Sequence, residues 1–337
     1  MDFLDGRSLY RADPRSSANS GGAPGSVNAS REVILAAGAF NTPQLLKLSG
    51  VGPKTELEKI QIPVVIDLPG VGTNLQDWYE TGTVAEADSD FALTADCTFN
   101  KPGVPDPCLS QYQNNPLDRG VYASGGLALS IVKRSAVADG NPDLIILGAP
   151  AYFKGYFPGY SDFAVRDARH WVWFTLKAHS RNNAGTVTLK SADPRDTPQI
   201  NFNSFSAGNT AGGADQLDLQ AAAEGIALAR KMYEDLIPLG GSFTEVWPGP
   251  NVSSTEEVKD FIRNEAWGHH ASCSSPTGAD GDPNAVLDSH FRVRGVTNLR
   301  VVDASAFPAI PGFFVAVPIY MLSEKAADVI LEDNLRG

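Results

Sequence analysis

The sequence predicts an α/β (α+β) fold arranged as two spatial domains, one of them discontinuous along the chain. Three observations carry this reading. Apolar strand-like runs that end in Gly/Ala turns and lead into helices occur near the head and again near the tail. Between them, sheet-like segments are followed by two amphipathic helical stretches. The length, 337 residues, suits about two domains at roughly 150 residues each. The expected division is 1–80 with 265–337 for a partial parallel-sheet domain, and 81–264 for a mixed-sheet domain with flanking helices.

Residues 16–30 are rich in Ser, Gly, Ala, Pro and Asn and predict a loop. Glu32 to Gly38 is a short apolar run closed by glycine, the pattern of a buried strand. Thr42 then reads as an N-cap with Pro43 in the first helical position, and a short helix is expected over 44–49. A strand, a glycine turn and a helix start make a βα unit whose helix N-terminus can face an anion. A helix over 54–60 and a strand over 64–66 come next. Residues 88–115 read as loop. Residues 122–133, 144–149 and 171–178 read as sheet strands, 185–190 alternates with period two, and 198–202 is its companion. Leu219, Ala222, Ile226, Ala229 and Tyr233 step by three and four, which predicts a long helix over 215–233. Another is expected over 255–264, capped by Ser254 or Thr255 with acids in its first turn. The tail gives a strand over 298–302 and a helix over 318–332, and this strand should pair with the head.

Composition narrows the function classes. The chain is 42% hydrophobic and 20% charged, which suits a globular core rather than a disordered segment. A net charge of −12 repels phosphate backbones, so no nucleic-acid partner is expected. No membrane partner is expected either, because Pro308, Pro311, Gly312 and Pro318 interrupt the longest uncharged stretch, 304–323. The first residues lack the basic and apolar regions of a signal peptide, so export is not expected from the sequence as written. Cys97 and Cys108 lie close together in a loop rich in Pro, Asn and Asp, which suits a small disulfide-closed loop; two free thiols are the alternative. Cys273 is then left over, beside His269 and His270. Asn28 and Asn251 each begin a glycosylation sequon.

Several ordered blocks resemble one family. The run Gly38-Ala-Phe-Asn-Thr-Pro43-Gln-Leu-Leu-Lys-Leu-Ser-Gly50-Val-Gly52 is similar to the second signature of the glucose-methanol-choline (GMC) flavoprotein oxidoreductases. The segment from Asp67 through Asn74-Leu-Gln-Asp77 resembles the family stretch that comes after it. The tail from Asn298 through Asp303-Ala304-Ser305 to Asp328 resembles the closing flavin-contact strand and helix, and 185–194 resembles a substrate-domain strand. The likeness is closest to fungal members, which are often secreted; it leaves the compartment of this chain open.

The resemblance implies a fold, a cofactor and a set of site residues. The head-and-tail domain would be the C-terminal part of an FAD-binding, Rossmann-like domain, and 81–264 a substrate-binding domain. FAD would be the cofactor, with Gly38, Ala39, Thr42, Asn74, Asp303, Ala304 and Val315 as its contacts. Family members place a histidine three residues before a Gly or Cys followed by Ser/Thr, which lands on His270. It would take the proton of an alcohol while hydride leaves for flavin N5, with His269 as its neighbour. An imidazole titrates near the working pH and a positioned base is worth roughly 10²–10⁴-fold. The partner would be a small-molecule alcohol. No metal is expected, since adjacent histidines with a lone Cys273 lack chelating partners at recognisable spacing.

The sequence departs from the family pattern at three points. Phe314 stands where the second active-site residue is usually His or Asn, so one polar partner is replaced by an apolar ring suited to an apolar or aromatic alcohol. No G-x-G-x-x-G follows a strand, and in the family that fingerprint opens the chain. Trp78 stands where His is common. The matched part is therefore the C-terminal part of the family fold, in need of an N-terminal segment or a partner chain. Three readings stay open: an FAD-dependent alcohol oxidase or dehydrogenase, a non-redox lyase or cyclase on the same scaffold with His270 as acid/base, and a catalytically inactive remnant.

Overall fold

A computed structural model describes residues 1–6, 10–16, 22–99, 101–205, 213–236 and 241–336. In chain order the strands and helices are β1 (Asp2–Asp5), β2 (Ala23–Ser26), β3 (Val33–Leu35), α1 (Gly38–Leu48), β4 (Val51–Gly52), α2 (Lys54–Lys59), β5 (Ile66–Asp67) and β6 (Tyr79–Ala87). Then come α3 (Pro107–Asn114), β7 (Leu129–Lys133), β8 (Leu144–Ala149), α4 (Tyr160–Ala164), β9 (His170–Lys177), β10 (Thr186–Thr188) and β11 (Gln199–Asn201). The last are α5 (Ala214–Asp235), β12 (Phe243–Trp247), α6 (Thr255–Glu265), β13 (Leu299–Val301) and α7 (Ala316–Arg336). Part of the loop expected over 16–30, residues 17–21, lies outside the described residues; 23–26 form β2, which pairs with β1.

The chain divides into two units: Met1–Asp77, Arg181–Ala211 and His269–Gly337 in the first, Trp78–Ser180 and Gly212–Gly268 in the second. Head and tail thus share a unit. Residues 181–211, expected in the middle domain, belong to the first unit, because Gly185 bridges Leu75 and Val187 packs with Ala39 and Leu75.

In the first unit, β13 runs parallel to β3 with Leu299 opposite Val33 and Val301 opposite Leu35. A parallel pair needs a crossover connection, and here the chain between the two strands supplies it. The core gathers Leu46 of α1, Val71, Val286, Leu287, Val293 and Val301, all nearly inaccessible to water. Helix α1 begins at Gly38, six residues before the expected start, so Thr42 and Pro43 lie inside it. Proline has no N–H to give the carbonyl four residues back. That carbonyl, Ala39 O, instead accepts from Ser274 Oγ at 2.5 Å, which lets the helix run through Pro43. Lys47 of α1 is buried and donates to Glu56 Oε2 at 2.7 Å and to Val187 O at 2.6 Å, tying α1, α2 and β10 together.

The second unit is built on a five-stranded sheet in the order β12-β6-β9-β8-β7. Every pairing in it is antiparallel, a simpler pattern than a mixed sheet. Alternate side chains of such a sheet share a face, so Val84 opposite Val172 contributes to a core with Tyr152 and Phe153. On α5, Leu219, Ala222, Ile226 and Ala229 are buried as the periodicity required, and the helix lies against β6, β8 and β9. Helix α6 starts with a capping box: Ser254 accepts from Glu257 N, and the Glu257 side chain accepts from Ser254 N at 2.8 Å. The region expected as loop over 88–115 contains α3, whose N-cap Asp106 accepts from Leu109 N and whose first residue is Pro107. Cys97 and Cys108 form a disulfide across this segment. The strand expected over 122–133 is confined to β7, because Val121–Ser124 coil into a 3-10 turn before Gly125 and Gly126. Among the described residues no helix is long and apolar enough to cross a membrane.

Candidate active site

The sequence-predicted residues all fall in the first unit, and most of them meet around two chain segments, the turn into α1 and the segment after β13. Gly38 begins α1 with φ +80°, a left-handed conformation that glycine adopts without strain, and the space where a Cβ would project is open. The N–H of Gly38 donates to Asp303 Oδ2 at 3.0 Å, and Thr42 Oγ1 donates to the same oxygen at 2.6 Å. Thr42 Oγ1 in turn accepts from Ala37 N at 3.1 Å. Asp303 Oδ1 accepts from Ser305 N at 2.7 Å, which caps a 3-10 turn over Ala304–Ala306. Asp303 therefore joins tail to head through Oδ2 and caps its own turn through Oδ1.

A second strip runs beside it. Cys273 N donates to Ala304 O, Ser275 N to Ser305 O, and Gly72 N to Ser274 O. Asn74 sits at φ +58° and donates through Nδ2 to Cys273 O at 3.2 Å and Pro308 O at 3.1 Å. Gln76 holds Asn74 in turn, donating to its Oδ1 at 2.8 Å while accepting from Ile310 N at 3.1 Å. Gln76 and Ser274 are not singled out by the sequence, because the bonds from Ile310 N to Gln76 and from Ser274 Oγ to Ala39 O each span over two hundred residues. Cys273 is buried, and burial pushes its thiol up to about 12, so it is an inert thiol at neutral pH.

His270 stands at the end of this strip. Its backbone N–H donates to Asp77 Oδ1 at 2.9 Å, which fixes the residue at the family-like Asn74-Leu-Gln-Asp77 turn. The imidazole is 7% exposed, and its pKa is lowered to about 4, first by burial and then by the neighbouring His269. The imidazole is thus neutral across the physiological range; burial moves it away from the titration near the working pH that its residue type suggested and makes it a weaker base than a free imidazole. The exposed His269 ring lies 3.9 Å from that of His270, centre to centre, and Phe314 meets His270 edge-on at 5.7 Å and 67°. The sequence-predicted trio His269, His270 and Phe314 is therefore together. Val315 immediately precedes α7, whose first turn begins with Ile319 N donating to Val315 O. Trp173 and Trp171 pack with Ile146, Ala229 and Tyr233 in the core of the second unit.

These residues suit a cofactor with an anionic part. Gly38 leaves open space at a helix N-terminus, and that end carries partial positive charge. No acidic residue of α1 itself occupies its first turn, although the Asp303 carboxylate already takes the Gly38 N–H.

Comparison with known proteins shows the family. Two sequence models described as GMC oxidoreductase match the chain, one over residues 16–80 and the other over 180–323. A glucose methanol choline oxidoreductase, atC, of Aspergillus terreus is 34% identical over 322 residues, covering 92% of this chain and 50% of that protein. The mitochondrial choline dehydrogenase of Mus musculus is 35% identical over 307 residues, covering 89% and 48%. Among solved structures, the formate oxidase of Aspergillus oryzae superposes with a TM-score of 0.77 at 26% identity, covering 93% of this chain and 56% of that one. The chain spans about half the length of the curated relatives it matches. FAD is the cofactor that goes with this fold and family. The matches to residues 16–80 and 180–323 show that the chain belongs to the GMC oxidoreductase family.

Proposed function

We propose that this chain contributes the base and part of the flavin site of an FAD-dependent oxidoreductase acting on CH–OH groups. The observation that carries the reading is the placement of His270: buried, flanked by the rings of His269 and Phe314, and fixed through its backbone to Asp77. FAD, held in part by the α1 N-terminus at Gly38, by Ala39 and by the segment from Asp303 to Ala304, supplies the hydride acceptor when bound. The residues of the chain do the proton work. A substrate hydroxyl donates its proton to an imidazole nitrogen of His270, and the neutral ring is ready to receive it without first losing one. Phe314 excludes water from one side of that ring and favours an apolar or aromatic alcohol over a strongly hydrated one. Relatives named for choline and formate turn over small molecules, which is the same size class.

The test is the visible absorption spectrum of the purified, desalted chain with and without added FAD, followed by an alcohol screen. An oxidised-flavin spectrum that survives desalting would mean that the part-site in this chain holds FAD by itself, and bleaching by an alcohol is then expected in the wild type but not in His270→Ala. A folded, soluble chain that stays colourless with FAD would overturn stand-alone flavin binding. A flavin-loaded chain that His270→Ala leaves equally active would overturn the base assignment. Turnover with no flavin absorbance change would instead favour lyase or cyclase chemistry.

A further inference from the structure

Asn251-Val252-Ser253 is a glycosylation sequon that the flavin chemistry leaves unused. It lies in the second unit, in the connection from β12 to α6. Gly249-Pro250-Asn251-Val252 is a β-turn, closed by Val252 N donating to Gly249 O at 3.1 Å. Proline at the second position and asparagine among the central residues are what such turns favour. Four consecutive residues therefore specify the turn, and it forms without help from distant parts of the chain. The folded unit then anchors its two ends. Gly249 N donates to Glu245 Oε1 at 3.1 Å, and Val252 O accepts from Arg230 Nη2 at 2.7 Å. Gly249 is buried, whereas Pro250, Asn251 and Ser253 are exposed, so the acceptor residue stands at the tip.

The side chain of Asn251 is uncommitted. Among the described residues no hydrogen bond to the protein engages its amide. The cap of α6 is made next to it by Ser254 and Glu257, with Ser253 N donating to Glu257 Oε2 at 3.0 Å. A group attached to Asn251 leaves all of these bonds in place. Asn28, the other sequon asparagine, is also exposed but occupies no turn; it stands between β2 and β3, directly after Val27, whose N–H donates to Met1 O.

An independent observation concerns the compartment. Cys97 and Cys108, in the same unit as Asn251, are joined in a disulfide. Such bridges form and persist in oxidising compartments, the lumen of the endoplasmic reticulum among them, and that lumen is where asparagine-linked sugars are added.

We infer that Asn251 is an N-glycosylation site, modified in the compartment in which the Cys97–Cys108 bridge forms. The co-reactant is an oligosaccharide carried on a lipid pyrophosphate. Asn251 Nδ2 forms a C–N bond to the anomeric carbon of the first sugar as the bond from that carbon to the pyrophosphate oxygen breaks. The amide gives up one proton and the lipid pyrophosphate leaves. The site shares no residue with the His270 region and does not depend on flavin.

The experiment directs the full chain into the secretory pathway of a yeast behind a cleavable leader. The chain is recovered from the medium and from the membrane fraction, so a retained chain reports as well as a secreted one. Digestion with peptide-N-glycosidase F is expected to speed its migration on a denaturing gel and to convert Asn251 to aspartate in the peptide mass spectrum. Asn251→Gln and, independently, Ser253→Ala are expected to abolish modification at this position, and Ser253→Thr to retain it. Alkylation of the denatured, unreduced chain should find one free thiol, that of Cys273. A wild-type chain with Asn251 unmodified in both fractions overturns the site, whether or not Asn28 carries a sugar. Modification that persists in Ser253→Ala overturns the role of the sequon. Three free thiols in a chain glycosylated at Asn251 break the link between the bridge and the compartment.

Discussion

Thr42 Oγ1 donates to Asp303 Oδ2 at 2.6 Å, joining residues 261 positions apart in the sequence. Both are buried, and the same carboxylate takes the N–H groups of Gly38 and Ser305. Charged, buried acceptors with several donors contribute strongly, and their loss leaves each donor unsatisfied. Asp303→Ala is therefore expected to lower stability by about 3 kcal/mol in urea unfolding. Thr42→Val removes one donor of three and is expected to cost about 1 kcal/mol. Both variants should also weaken FAD binding, because the turn at Gly38 loses its anchor; a fluorescence titration with FAD checks this.

The folded-state pKa of His270, about 4, lies below the ordinary histidine value near 6.5. Between those values the unfolded chain binds a proton that the folded chain refuses. The stability from burying a neutral His270 is thus complete above about pH 6.5 and is lost as pH falls toward 4. Comparing urea unfolding of the wild type and His270→Asn at pH 4.5 and 7.5 should show a pH dependence smaller in the variant by about 2 kcal/mol. His269→Gln removes the like charge that adds to the shift, so the His270 resonance should titrate at a higher pH in that variant by NMR. A titration midpoint unchanged by His269→Gln would leave burial as the whole cause.

Lys47 and Glu56 give a third prediction. Lys47 is almost wholly buried, and burial lowers its pKa against the pull of Glu56. Removing one partner of such a pair leaves a buried charge unpaired. Glu56→Gln is expected to cost about 3 kcal/mol in unfolding measurements. Lys47→Met removes the buried charge itself and leaves Glu56, which still accepts from Leu189 N at 2.8 Å. It should therefore cost less than Glu56→Gln. The reverse order would mean that the lysine is deprotonated in the folded chain.

How much of this the sequence disclosed depends on the range of the interactions. The pairing of β3 with β13 was legible because both strands are short apolar runs with turn residues after them. The long helix α5 was legible because its period is local. The start of α1 was not: Thr42-Pro43 is a sound N-terminal signal, but Asp303 and Ser274, far along the chain, satisfy the backbone groups that let the helix begin at Gly38. The presence of β10 and β11 in the first unit was equally hidden, since it rests on Gly185 meeting Leu75. Helix α3 is the opposite case. Asp106 and Pro107 are local capping signals, outweighed in the sequence by the surrounding loop composition. At the site, residue types pointed to His270 and Phe314, whereas the Asp77 and Gln76 contacts are visible only once the chain has folded.

Phe314 supplies the last prediction. Its ring meets His270 edge-on, and at 41% exposed it contributes little to the core. Phe314→Asn should change stability by no more than about 0.5 kcal/mol, as surface substitutions do. Its effects on His270 should be larger. Water gains access to the imidazole, so the His270 midpoint should rise from about 4 toward 6.5, which NMR reads without any cofactor. An amide beside the base also offers a hydrogen bond to a developing alkoxide, and a positioned donor can be worth 10²–10³-fold where charge develops. In the flavin-loaded chain, turnover of a small polar alcohol should therefore rise about tenfold relative to an aromatic one. A higher midpoint without that change in preference would make Phe314 a shield for the base and nothing more. An unmoved midpoint together with a changed preference would place its role on the substrate side alone.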